Sequence, residues 1–169
     1  VLFTVSAAEL KSAGMIKLPI RLETNPDWRN VVSQAVATRN HLEDVARIER
    51  AETGEYLRPI VLLQAQPERQ GQETLTYNVL KQHLITDQQI PENQIAVATG
   101  KEDDLTAQTD LLEPTNPVRY IITVQKLREG WDCPFAYVLC TVAEQHAETA
   151  VEQILGRVLR MPKAQEKRH

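Results

Sequence analysis

No apolar run in this sequence approaches the ~18–20 residues needed to cross a bilayer. No basic stretch at its start leads into an apolar core, as a secretory leader would. Cysteine is scarce: Cys133 and Cys140 are the only two, and their spacing fits neither a zinc site nor a redox pair. The four histidines, His41, His83, His146 and His169, show no ligand spacing, so no metal site is expected. Together these absences point to a reducing cytoplasm and to no membrane. Positive charge is also lacking. A net charge of −4 excludes a protein that grips nucleic acid through an overall field; any such contact needs a local patch or a partner domain. The phosphate-cradling loop is missing too. "TGKEDD" (99–104) contains Gly-Lys, but neither the upstream glycine nor the following Ser/Thr of a P-loop. Its Asp103 and Asp104 read as a solvated acidic pair.

What is present suits one ordinary folded domain. The chain is 42% hydrophobic and 25% charged, with enough length to bury a core. Ser6 and Glu9 have capping-box spacing and predict a short helix, ended near Gly14 and followed by an extended "MIKLPIRLE". Asn25 is placed to cap a long helix with Pro26 in its first turn. Its apolar stripe is Trp28, Val31, Val32, Ala35, Val36, Leu42, Val45 and Ala46, continuing towards Ile48. "PIVLLQA" (59–65) is continuously apolar and reads as a strand buried on both faces. A helix is expected at about 73–86, around Leu75, Val79, Leu80 and Leu84. Three more buried strands follow: "QIAVAT" (94–99), "RYIITV" (119–124) and "AYVLCTV" (136–142). Between the first two of these lies a polar, acidic loop or short helix. Apolar strands alternating with helices predict an α/β fold with a mostly parallel sheet.

The last segment, "VEQILGRVLRMP" (151–162), carries the chemistry. Ala147, Ala150, Val151, Ile154, Leu155, Val158 and Leu159 repeat at helical spacing, and Pro162 stops the helix. Gln153, Arg157 and Arg160, at i, i+4, i+7, fall within roughly 60° of each other and more than roughly 100° from the apolar centre. Gly156 lies on the edge of that stripe and leaves room for something to approach. A solvated polar face would read the same way. The stripe, however, holds two guanidiniums and no acid, and a planar guanidinium fork suits phosphate.

"QILGRVLR" matches Q-x-x-G-R-x-x-R, motif VI of superfamily-two helicases and translocases. "TVQKLREGWDCP" (123–134) resembles motif V of that superfamily in the form found in type III restriction enzyme Res subunits and their DEAD/DEAH-like relatives. "LRPIVLLQAQP" (57–67) resembles motif IV, and "VSAAELKSAGMIKLP" resembles the stretch between the two motor domains of Res-like proteins. The resemblance covers most of the chain, with the three motifs in order.

The resemblance implies a RecA-like domain, the second of a pair that pinch ATP and Mg²⁺ between them. Residues 1–56 would be the interdomain segment and long helix, 57–162 the motor domain, and 163–169 a basic tail or linker. Arg157 and Arg160 would reach the γ-phosphate as arginine fingers, with Gln153 and Gly156 beside them. Gly130 and Asp132 match the motif V G-x-D that faces the nucleotide ribose. Thr123, Lys126, Arg128 and Trp131 are the candidate nucleic-acid contacts. With no P-loop and no D-E-x-[HD] box, the chain is expected to be inactive alone, as one part of a larger ATP-hydrolysing helicase or translocase. The implied partners are the first RecA-like domain of the same polypeptide, DNA rather than RNA, and a modification subunit if the context is a restriction system. Two other readings fit the residues: a stand-alone anion-binding α/β module, and a degenerate motor domain kept as a scaffold.

Overall fold

The computed structural model describes residues 27–54, 58–70, 73–99, 104–105, 110–111, 113, 115–124 and 136–142. The element order is α1 (Trp28–Thr53), β1 (Ile60–Gln64), α2 (Tyr77–Thr86), a 3₁₀ turn (Glu92–Gln94), β2 (Ile95–Ala98), β3 (Tyr120–Thr123) and β4 (Ala136–Thr141). The four strands form one sheet in the order β2-β3-β1-β4, and every neighbouring pair is parallel. The fold is therefore α/β with a parallel sheet and a long N-terminal helix, consistent with a RecA-like fold. Among the described residues, no helix is long and apolar enough to cross a membrane.

The strands form where the sequence is continuously apolar. Ile60, Val61, Leu62 and Leu63 of β1 are all buried, as are Ile121 and Ile122 of β3. Side chains alternate across a sheet, so burial of consecutive residues means both faces are covered. On one face Val61, Leu63 and Ala65 join Tyr120, Ile122, Ile95 and Cys140 beneath Val32, Ala35 and Val36 of α1 and Leu80 and Leu84 of α2. The two helices thus share a face. They also touch each other: the Trp28 ring meets His83 edge-on at 4.9 Å, and Gln88 Nε2 donates to Ser33 Oγ at 2.9 Å.

Both helix termini of α1 differ in detail from the sequence expectation or complete it. Asp27, not Asn25, is the N-cap, its Oδ1 accepting from Arg29 N at 3.0 Å. At the other end Gly54 takes the left-handed conformation (φ 74°) and its N–H returns to Arg50 O, a geometry open to glycine without a Cβ penalty. The expected apolar stripe runs too far. Val45 is 46% and Ile48 64% exposed, because packing against the sheet ends at Ala46 and residues 47–53 are exposed throughout.

Helix α2 begins at Tyr77 rather than about 73. Residues 73–76 stay outside the helix: Leu75 pairs its backbone with Gln66, and Thr76 N–H turns back to Thr74 O at 2.9 Å. The expected opening helix, the extended "MIKLPIRLE" and the helix over 151–161 lie outside the described residues, as does most of the 100–114 loop.

Candidate functional site

In open α/β sheets, ligands sit beyond the carboxyl ends of the strands. Here that edge is built by the row Ala98, Thr123, Gln64 and Thr141, which the strand register aligns across the sheet. By alternation from Val61 and Leu63, Gln64 and Thr123 lie on the face opposite the two helices. Gln64 is 7% and Thr123 5% exposed. Thr141 Oγ1 donates to Gln64 Oε1 at 3.2 Å. The backbone ladder continues past the strand ends, with Ala65 N donating to Thr123 O at 2.7 Å and Val142 N to Gln64 O at 3.0 Å.

Just beyond β1, Gln66 uses both ends of its carboxamide. Nε2 donates to Val142 O at 2.9 Å, and Oε1 accepts from Leu75 N at 2.9 Å. Its own N–H donates to Leu75 O at 2.8 Å. One side chain therefore joins the exit of β1, the approach to α2 and the exit of β4.

Of the candidate nucleotide- and nucleic-acid-contacting residues, Thr123 is the one within the described structure: the last residue of β3, its carbonyl accepting from Ala65 N just past β1. Lys126, Arg128, Gly130, Trp131, Asp132, Gln153, Gly156, Arg157 and Arg160 lie outside the described residues. The topology does determine where their segments depart. β1 has β3 on one side and β4 on the other, so the segments starting after Val124 and after Val142 leave the sheet at the same edge. Two strand spacings separate them, about 10 Å, with the end of "LRPIVLLQAQP" between. Three strand ends far apart in sequence are thus brought to one edge.

Other titratable groups serve the fold. Asp104, expected to be merely solvated, pairs with the edge strand: its Oδ2 accepts from Val97 N at 2.8 Å, and its N–H donates to Val97 O at 2.8 Å. An edge strand leaves backbone groups open, and Asp104 closes two of them. Cys140 is a free, buried thiol, and burial pushes its pKa up to about 12, which removes it as a nucleophile near neutral pH. Cys133 lies outside the described residues. No three His, Cys, Asp or Glu side chains gather as a metal site among the described residues.

The opposite edge of the sheet is held by arginines. Arg58, 1% exposed, donates to the carbonyls of Leu111, Glu113 and Asn116. Arg39 Nε donates to Pro59 O at 3.1 Å, and its guanidinium pairs with Glu43. Tyr120, the first residue of β3, is 1% exposed. Burial raises its phenol above the ordinary value, and the nearby Arg39 and Arg119 charges pull it partly back.

Sequence reasoning passed over Gln64, Gln66 and Arg58. The available signal was the polar "QAQ" closing an otherwise apolar strand. A lone arginine before a strand gives no signal of burial.

No family model matches the chain, and no solved structure matches it. Part of it is similar to two curated proteins: the type III restriction-modification enzyme EcoPI Res subunit of Escherichia phage P1, and the EcoP15I Res subunit of Escherichia coli. Each is 40% identical over 52 residues, which is 31% of this chain and 5% of the relative. The likeness is therefore partial, to a short segment of much longer proteins.

Proposed function

We propose that this chain is the second motor domain of an ATP-dependent DNA helicase or translocase related to type III Res subunits. Arg157 and Arg160 bring positive charge to the γ-phosphate of ATP bound by a first RecA-like domain, with Gln153 and Gly156 shaping the approach. Gly130 and Asp132 face the ribose. Thr123, Lys126, Arg128 and Trp131 meet the DNA backbone or bases. Mg²⁺ is assigned to the first domain, which supplies its ligands; there it would offset charge on the phosphates.

The observation that carries this reading is the strand order. β3, β1 and β4 are neighbours in a parallel sheet, so the chain entering the motif V-like segment and the chain leading on towards the motif VI-like segment leave the sheet on either side of the end of β1. The partial match to Res subunits supports the same class.

In this mechanism the residues of this chain act in trans. Closure of the two domains carries the guanidiniums to the developing charge of phosphoryl transfer, where a fork donor that stays protonated is worth about 10³–10⁵ in rate. Opening follows hydrolysis, and repeated closure moves DNA lying across both domains. A modification subunit is the further partner expected in a restriction system.

The test is ATP hydrolysis by the full-length protein with and without duplex DNA. Turnover that rises on adding DNA is the expected result. Absence of hydrolysis under both conditions rejects the motor reading.

A further inference from the structure

The end of α2 is tied to the start of α1 through a short chain of side chains. His83 is buried, 6% exposed, its ring edge-on to Trp28 of α1. Its Nδ1 lies 2.5 Å from Asp87 Oδ2, and its Nε2 lies 3.5 Å from Gln88 Nε2. That same carboxamide nitrogen donates to Ser33 Oγ of α1 at 2.9 Å. A tight helix end precedes these contacts. The N–H groups of Asp87 and Gln88 both return to His83 O, Ile90 N–H returns to Leu84 O, and Gln89 takes the left-handed conformation (φ 55°). A non-glycine residue is held there only where its surroundings dictate the backbone.

These contacts set the proton. A carboxylate only accepts, so the Nδ1 facing Asp87 carries a hydrogen. A carboxamide nitrogen only donates, so the Nε2 facing Gln88 is the bare acceptor of a neutral ring. The two amide hydrogens are then directed to Ser33 Oγ and His83 Nε2. A second proton on the ring sets N–H against N–H. Turning the carboxamide over relieves this by presenting Oε1 to both neighbours. Ser33 then has to donate, which a hydroxyl can do as well as accept. The charges around the ring are Asp87 on α2 itself, Arg29 of α1, stacked 4.5 Å over the Trp28 ring, and Asp27 at the α1 N-cap. Lys81, two positions earlier on α2, pairs with Glu92 at 2.9 Å. β3, on which α2 packs, adds Tyr120, whose raised phenol stays neutral below pH ~8.

We propose that His83, Gln88 and Ser33 form a proton-sensing clasp between α2 and α1: when the ring takes its second proton, the Gln88 carboxamide turns over and its bond to Ser33 reverses. In the neutral state Ser33 is the acceptor that an amide N–H of α2 depends on. In acid the imidazolium satisfies the Gln88 oxygen from within α2, and the tie to α1 becomes secondary. The clasp belongs to the fold and does not depend on the motor-domain reading.

Two measurements on the 169-residue chain test it at pH 8 and pH 5, which bracket the range where imidazoles change charge. Because His83 is buried, its protonation is read without replacing it, from the assigned ring nitrogens of 15N-labelled wild type. Urea midpoints of wild type and Ser33→Ala are compared at both pH values. The expected result is a ring protonated on Nδ1 alone at pH 8 and on both nitrogens at pH 5. Ser33→Ala should lower the midpoint by about 0.5 M at pH 8, and by less than half as much at pH 5. A proton on Nε2 at pH 8, or a ring that stays neutral at pH 5, overturns the proposal. So does an equal loss of midpoint at the two pH values, because the Ser33 bond would then be blind to the charge on His83.

Discussion

Replacing Arg58 with methionine should destabilise the fold by about 3 kcal/mol, and the figure follows from what the guanidinium touches. Arg58 is 1% exposed and donates to three backbone carbonyls, those of Leu111, Glu113 and Asn116. A hydrogen bond from a charged donor contributes about 1.5–3 kcal/mol net, so three would give roughly 4–9 kcal/mol. Desolvating the guanidinium opposes this by several kcal/mol. The loss is further limited because Glu113 is exposed and Asn116 half-buried, so their carbonyls can turn to water, whereas Leu111 is buried. Methionine fills the stem volume and makes no cavity. For a chain of this size, about 3 kcal/mol corresponds to a fall in melting temperature of roughly 6–12 °C. Arg58→Lys keeps the charge but replaces the planar fork with a compact head, and should fall between the two. Urea and thermal unfolding followed by circular dichroism read both variants. A methionine variant within about 0.5 kcal/mol of wild type, far below the hydrogen-bond scale, would refute the reasoning, as would a lysine variant equal to wild type.

Three further outcomes follow from the same geometry. With its pKa pushed up to about 12 from an ordinary 9.0, Cys140 favours the protonated, folded state. Its contribution is fully present below pH ~9 and is lost as pH rises towards ~12; a native-state thiol assay at pH 8 should leave it unlabelled until denaturant is added, and rapid native labelling would contradict the burial. Gln89 adopts a left-handed conformation (φ 55°), which costs a non-glycine residue about 1–2 kcal/mol. Gln89→Gly should therefore raise stability by about 0.5–1 kcal/mol after the glycine's extra unfolded-state freedom is counted, visible as a higher urea midpoint. Asp27→Ala removes the side-chain cap on Arg29 N and should lower stability by about 1 kcal/mol, seen as a lower midpoint in the same titration.

The sheet was legible because its strands need little context. "PIVLLQA" and "RYIITV" are short, apolar without alternation and rich in β-branched residues, which favours a strand covered on both faces over a buried helix. The helices were less legible at their ends. Leu75 fits a helical stripe by spacing, but its backbone is claimed by Gln66, a contact across nine positions that no local pattern encodes. Val45 and Ile48 were read as core because periodicity counts apolar residues and cannot tell where the sheet beneath a helix stops. Asn25 and Asp27 are both good caps, and sequence alone does not choose between them.

The candidate site divides the same way. Its location at the carboxyl edge follows from parallel strands. That β3 and β4 flank β1 is a matter of tertiary pairing, and no single segment states it. Gln66 was invisible for the same reason: its importance lies in which three backbones it holds together. Thr123 was singled out by motif, and the structure shows it as the last residue of β3, its carbonyl accepting from Ala65 N.

The most direct measurement compares DNA-stimulated ATP hydrolysis by full-length wild type and Arg157→Ala, with ATP affinity determined on both. If Arg157 acts on the transition state in trans, kcat should fall by about 10³–10⁵ while ATP affinity changes only a few-fold. Unchanged turnover in the variant would contradict the arginine-finger role.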